Sequence, residues 1–150
     1  MLLLSGGLDS PVAAYMMAKR GLSLSCIHFA SPPYTSERAR MKVLQLAKEL
    51  TPWTGNLNVY VVPYTPAQEY LRDKGPQDLF TVLMRRSMLR IAQRVAAAEG
   101  AAALITGESL AQVDVYKRQV YTSPSYCSII WVNSRSVIAG HLALLLMPLF

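Results

Sequence analysis

Apolar residues in this chain come in short runs that alternate with longer segments of helical period. Leu2-Leu3-Leu4 reads as a first strand that meets a glycine turn at once, and the helical stretch 10–20 closes at Gly21 after the basic pair Lys19-Arg20. Residues 22–29 predict a second strand, which leads into the loop 30–35. Across 36–50, Ala39, Val43, Leu46, Ala47 and Leu50 share one helical face. Residues 57–62 form the third predicted strand, stopped by Pro63. A long helix is expected over 78–99, with Asp78 as N-cap and Gly100 as its stop, and the fourth strand over 102–106.

Strands alternating with helices predict an α/β fold built on a parallel sheet with right-handed crossovers. Ligands in such sheets lie beyond the carboxyl ends of the strands. Three marked segments fall at those ends, 5–10, 28–35 and 106–109, and together they predict one composite site.

The first of them, Ser5-Gly6-Gly7-Leu8-Asp9-Ser10, carries the sharpest chemistry. Paired glycines let a backbone turn tightly and approach a ligand with no Cβ between them. Ser10 is the expected N-cap and Pro11 the first helical residue, where no amide donor is needed. Free amides and the positive end of the helix dipole then converge as an anion site. The common phosphate loop ends in Gly-Lys-Ser or Gly-Lys-Thr, yet no lysine precedes Lys19. Such a loop is poorly equipped to promote γ-phosphate transfer.

Composition narrows the class. With 150 residues, 52% of them hydrophobic, and a mean hydropathy of +0.24, the chain has a core's worth of apolar side chains and not the profile of a disordered segment. The net charge of +6 favours an anionic partner, and 12 Lys and Arg against 8 Asp and Glu before Asp114 place most of that excess in the patterned region. Cys26 and Cys127 form no C-x-x-C, which argues against a zinc ribbon or disulfide framework and suits the cytoplasm. The apolar stretch 137–150 has 14 residues with His141 and Pro148 inside it, short of the ~20 that span a bilayer, so no membrane segment is expected.

The other motifs each have a plain alternative. His28 at a strand end suits a structural hydrogen bond, while Phe29 could face an adenine ring with the pair's backbone groups at the base edge. No metal-ligating set is expected, because the other histidine is His141. Arg86, Arg90 and Arg94 share a helical face, and Arg94 reads as solvated. Arg85 and Arg86, among apolar neighbours, are expected on a helix largely covered by the sheet, where guanidinium groups need anionic partners such as ATP phosphate or RNA. In Thr106-Gly107-Glu108-Ser109, Gly107 gives backbone access to adenosine or ribose, and two roles stay open for Glu108, holding magnesium through water or positioning the loop. Met16, Met17, Met84 and Met88 read as core.

The loop resembles the SGGxDS loop of ATP pyrophosphatases, the PP-loop superfamily. With Leu3-Leu4 before it, Pro11-Val12-Ala13 after it, and the further blocks His28-Phe29, Ser31-Pro32-Pro33-Tyr34-Thr35-Ser36-Glu37-Arg38-Ala39, Met84-Arg85-Arg86-Ser87 and Thr106-Gly107-Glu108-Ser109-Leu110, it is similar to the ThiI-type tRNA sulfurtransferases, the tRNA 4-thiouridine synthetase family. The resemblance covers residues 2–113 and implies an adenine nucleotide alpha-hydrolase-like three-layer sandwich, incomplete at both ends, with residues 1–113 as a partial ATP pyrophosphatase domain. It implies binding of ATP with Mg2+, adenylation of O4 of a tRNA uridine, and replacement of that oxygen by sulfur from a cysteine desulfurase persulfide. The same family supplies sulfur for thiamine thiazole synthesis, and the parent protein is a possible homodimer. Carried over by motif, Ser5, Gly6, Gly7, Asp9 and Ser10 hold the phosphates, with Asp9 the catalytic residue, and Leu3, Leu4, His28, Phe29, Arg85 and Gly107 line the nucleotide.

Three departures from the family pattern stand beside it. The family's ferredoxin-like and THUMP modules have no counterpart before Met1, so the chain reads as truncated. After Val113 the family continues with Ala/Ser-Ser-Gln-Thr, and Tyr116 stands where its glutamine is expected. Residues 114–150 match nothing in the family pattern, include no later sulfur-transfer cysteine, and are expected to be a junction or frame artefact. Cys26 reads as buried and inert.

Overall fold

A computed structural model describes residues 1–107 and, further on, the backbone of two strands, Ser128–Asn133 and Ser136–Gly140. The chain runs β1 (Leu2–Leu3), α1 (Asp9–Ala18), β2 (Ser25–Ala30), α2 (Glu37–Thr54), β3 (Asn58–Pro63), α3 (Thr65–Lys74), a single 3-10 turn (Gln77–Leu79), α4 (Phe80–Ala98) and β4 (Ala103–Thr106), with the two later strands as β5 and β6. Strand order is β3-β2-β1-β4-β5-β6. The first four strands are parallel, with Leu2 opposite both Cys26 and Ile105, while β5 and β6 extend the β4 edge antiparallel.

Alternation along β1 and β2 sorts the apolar residues onto two faces. Leu2, Leu4 and Cys26 pack with Ala13, Ala14 and Met17 of α1 and with Val43, Ala47 and Leu50 of α2. Ile27 and Leu104 pack on the other face with Met1 and with Ala92 and Ala96 of α4, joined by the partly buried Leu3, Phe29 and Tyr60. Helices on both faces of a mostly parallel sheet give the three-layer α/β architecture that the alternating pattern predicts.

The structure moves several element ends. Helix α2 runs through Pro52 to Thr54 instead of stopping at Leu50. Pro52 has no N–H to donate, and the Lys48 carbonyl that would have received it accepts the Thr51 hydroxyl at 2.7 Å. Ser36 caps this helix as its position suggests, accepting from the Ala39 amide. Asp78 is not an N-cap: it lies in the 3-10 turn, and α4 starts at Phe80 behind Leu79, which makes no side-chain cap. Gly100 does end α4, in the left-handed region at φ +71°.

Helix α3 has no counterpart in the sequence reading: its apolar positions are few, Ala67, Tyr70 and Leu71, and none of its residues is fully buried. It is held instead by Tyr64, which is fully buried just before it. The Tyr64 amide donates to the Ala30 carbonyl (2.7 Å) at the end of β2, its ring meets Phe29 edge-on at 5.5 Å, and its hydroxyl bonds the Met84 carbonyl (3.1 Å) and the Ser87 hydroxyl on α4. One side chain thus ties β2, α3 and α4 together. Tyr64→Phe keeps the ring but removes the hydroxyl that bonds Ser87 and the Met84 carbonyl, which then keep only their 2.9 Å bond to each other. It is expected to cost about 1–2 kcal/mol in urea unfolding, and a loss below a few tenths would show that the hydroxyl contributes nothing.

Candidate functional site

Strands β2 and β3 lie to one side of β1 and β4 to the other, so the chain reverses direction between β1 and β4. The crevice beyond the carboxyl ends of the strands at this switch point is where open α/β sheets bind ligands. The loop after β1 and Gly107 after β4 meet there.

A closed set of hydrogen bonds shapes the loop. The Ser10 hydroxyl accepts the Ser5 amide (2.9 Å) and donates to the Ser5 carbonyl (3.2 Å). With that proton committed, the Ser5 hydroxyl is the donor in the 3.0 Å contact between the two Oγ atoms, and it accepts the Gly7 amide at 3.4 Å. Ser10 is therefore not the N-cap that its sequence position predicts. It is the second residue of α1, buried, with its side chain turned back to hold the ends of the loop, and Leu8 takes the cap position without a side-chain bond. Pro11 accordingly sits at the third helical position, within the first turn, where its missing N–H still costs no intrahelical bond.

Ser5, Gly7, Leu8 and Asp9 are exposed, with Leu8 at 84%. The amides of Gly6, Leu8 and Asp9 donate to no described residue. Unpaired amides at the start of a helix concentrate positive potential on this spot, and the Asp9 carboxylate at its rim is the one acidic side chain in α1's first turn.

The glycines of the site differ in what they are for. A Cβ on Gly107 would lie 2.5 Å from both Cα and N of Ser10 and 2.7 Å from the Asp9 carbonyl carbon, so only glycine lets β4 reach the first turn of α1. Gly6 and Gly7 are not in the left-handed region, and a Cβ on either would meet its nearest neighbours at 3.8 Å and 3.5 Å, ordinary contact distances. The fold therefore has no steric need for glycine at 6 and 7.

The residues expected to line a nucleotide divide between the two faces. Leu4 is buried against α1 and α2, and its carbonyl lies 3.0 Å from His28 Nδ1, the structural hydrogen bond open to that histidine. Leu3 and Phe29 face the α4 side, where the Phe29 ring is engaged by Tyr64. Arg85 and Arg86 are exposed on α4, which corrects the expectation of a helix covered along that stretch: α4 buries only Ala92 and Ala96, near its other end. Glu108, Ser109, Tyr116, Cys127 and His141 lie outside the described residues. Among the described residues no cluster of three acidic, histidine or cysteine side chains could cage a metal, and no helix is long and apolar enough to cross a membrane.

The SPPYT segment gains a structural role that its sequence pattern does not announce. The Ser31 amide and carbonyl bond Thr35 at 2.8 Å each, the Pro32 carbonyl accepts the Thr65 hydroxyl (2.7 Å), and Tyr34 bonds both Glu69 and Arg72 on α3. The segment is a strap from β2 to α3 along the same rim of the sheet.

The mostly parallel sheet with this strand–loop–helix at its switch point is an α/β fold of the PP-loop type. Residues 1–117 match the model of the family described as thiamine biosynthesis protein (ThiI), and the chain belongs to that family. It is 56% identical over 113 residues to a probable tRNA sulfurtransferase of Brevibacillus brevis, covering 75% of this chain and 28% of that protein. A probable tRNA sulfurtransferase of Lachnoclostridium phytofermentans is 43% identical over 145 residues, covering 92% of this chain and 37% of the relative, so the similarity continues beyond Val113. A crystal structure of a 4-thiouridine synthetase–RNA complex with bound ATP superposes with a TM-score of 0.71 at 39% identity, over 74% of this chain and 30% of that one. The chain thus spans about a third of the length of the relatives it matches.

Two outcomes follow from the geometry. Gly107→Ala is expected to destabilise the chain by about 3 kcal/mol, the upper end of overpacking costs, because its Cβ meets backbone that cannot yield. Gly6→Ala should change stability by no more than about 0.5 kcal/mol, and equal losses for both in chemical denaturation would refute the distinction. Burial pushes the Cys26 thiol up to about 12. Cys26 in the folded chain should therefore resist alkylation at pH 8, read by mass spectrometry of its own peptide, while it reacts in the unfolded chain, and its contribution to stability should fall as pH rises from the ordinary thiol range towards 12, since the unfolded thiol ionises first.

Proposed function

We propose that residues 1–113 are the ATP-binding portion of a tRNA sulfurtransferase that makes 4-thiouridine and also feeds sulfur to thiamine thiazole synthesis. The observation that carries this reading is the loop at the β1–β4 switch point, whose Gly6, Leu8 and Asp9 amides, bonded to no described residue, suit the phosphates of a nucleotide together with the α1 dipole. It is supported by membership of the ThiI family and by the likeness to a 4-thiouridine synthetase that holds ATP and RNA.

Ser5, Gly6, Gly7 and Ser10 shape the loop around the phosphates, and Leu3, Leu4, His28, Phe29, Arg85 and Gly107 surround the nucleotide. The Asp9 carboxylate at the rim would repel phosphate unless a cation lies between them, so Asp9 is the residue that would hold Mg2+. One carboxylate suits a magnesium ion whose other ligands are phosphate oxygens and water, and the bound ion would neutralise charge on the triphosphate. The residues orient the α-phosphate towards the uridine O4, which attacks it and releases pyrophosphate. The outer sulfur of a protein persulfide supplied by a cysteine desulfurase then attacks C4, and AMP leaves with the former O4; a second thiol attacks the inner sulfur of the remaining S–S bond, forming a disulfide and freeing 4-thiouridine. The protein's net charge of +6 favours a polyanionic partner such as tRNA. Homodimerisation of the full-length protein and a cytoplasmic location complete the reading.

The 56% identity makes a graft practical: residues 1–113 of this chain replace their counterpart in the Brevibacillus brevis relative. The chimera should form 4-thiouridine in unmodified tRNA when given ATP, cysteine and a desulfurase. Asp9→Ala within it should cut tRNA-dependent pyrophosphate release by about a hundredfold or more. Undiminished release would contradict the assignment of the loop.

A further inference from the structure

The loop after β1 has no lysine of its own, and the fold brings one to it. Lys42 lies on α2 beside Val43, whose side chain is buried against the sheet. A Cβ built on Gly6 would be 3.8 Å from Lys42 Cδ and equally far from Val43 Cγ2, so the lysine's aliphatic stem passes directly over the loop. Only the ε-methylene separates that carbon from the ammonium. Val43 anchors the helix at this point and fixes where the stem emerges. Lys42 itself is exposed, and the ion pairs among the described residues, Arg40 with Glu37 and Arg72 with Asp73, leave its charge uncommitted.

An uncommitted cation beside unpaired amides is a combination that a polyanion completes. A nucleoside triphosphate carries more negative charge than three amides and the roughly half charge of a helix terminus can balance, and Asp9 adds to that excess. Lysine serves phosphate as a mobile point charge, which suits a side chain reaching in from a neighbouring helix. We propose that Lys42 binds the β- or γ-phosphate of ATP, the portion that leaves as pyrophosphate, and so takes from α2 the part that a phosphate-loop lysine plays within its own loop. This rests on the reading of the loop as the ATP site.

The test is calorimetric titration of the purified chain with Mg-ATP and, separately, with AMP, in the absence of RNA. Lys42→Met should weaken ATP binding about tenfold and leave AMP binding within about twofold, because AMP lacks the phosphates the lysine reaches. Lys42→Arg should recover most of the ATP affinity, and an unchanged thermal midpoint would show that both variants fold. If wild type binds ATP and Lys42→Met binds it equally well, the lysine assignment fails while the loop reading stands. Equal weakening of ATP and AMP also overturns it, as does a loss confined to RNA binding, which would make Lys42 an RNA contact. If wild type has no affinity for ATP, the loop reading falls and the lysine assignment with it.

Discussion

The site depends on the approach of β4 to the first turn of α1. Gly107 fits against the backbone of Ser10 and Asp9 with no room for a methyl group, and Ser10 in turn grips Ser5 through its buried hydroxyl. These contacts fix the start of the helix, the end of the first strand and the end of the fourth as one rigid unit. Less constrained is the segment between them, whose Gly6, Leu8 and Asp9 amides donate to no described residue and whose glycines meet no described atom too closely to bear a Cβ. Rigidity around an open, donor-rich loop is the preorganisation that charge stabilisation needs, because no reorganisation is then spent when phosphate arrives.

Much of this was legible in the sequence because it is local. Leu2-Leu3-Leu4 before a glycine pair, and a helix closed by Gly21, leave few alternatives for the first βα unit, and the same holds for Val43, Ala47 and Leu50 on α2. Ser10 was legible as a residue that matters but not in its role. Serine before proline matches a cap signature, and only the return path of the loop shows its hydroxyl bonding backward to Ser5. Helix α3 was invisible because none of its residues is fully buried; its support comes from Tyr64 and the SPPYT strap, contacts across 20 to 38 positions of sequence. The exposure of Arg85 and Arg86 misled for the opposite reason. Apolar neighbours imply cover, but the residues that α4 buries fully, Ala92 and Ala96, lie near its far end.

Charge at the site follows the same division between local and tertiary. The loop's amides and Asp9 are contributed by consecutive residues, while the cation nearest Gly6 comes from a helix more than thirty positions away. Among the described residues, the Asp9 carboxylate with a lysine stem beside the loop suits a ligand that carries both phosphates and a divalent ion. It does not suit a protein-caged metal, and among the described residues no such cage exists.

The measurement that tests the central claim most directly is a two-dimensional amide NMR spectrum of the chain recorded during titration with Mg-ATP. The account predicts saturable shifts concentrated on Gly6, Gly7, Leu8, Asp9 and Gly107, with the core amides of β2 and β3 unmoved. Shifts absent from the loop, or gathered on a surface remote from the β1–β4 switch point, would contradict it.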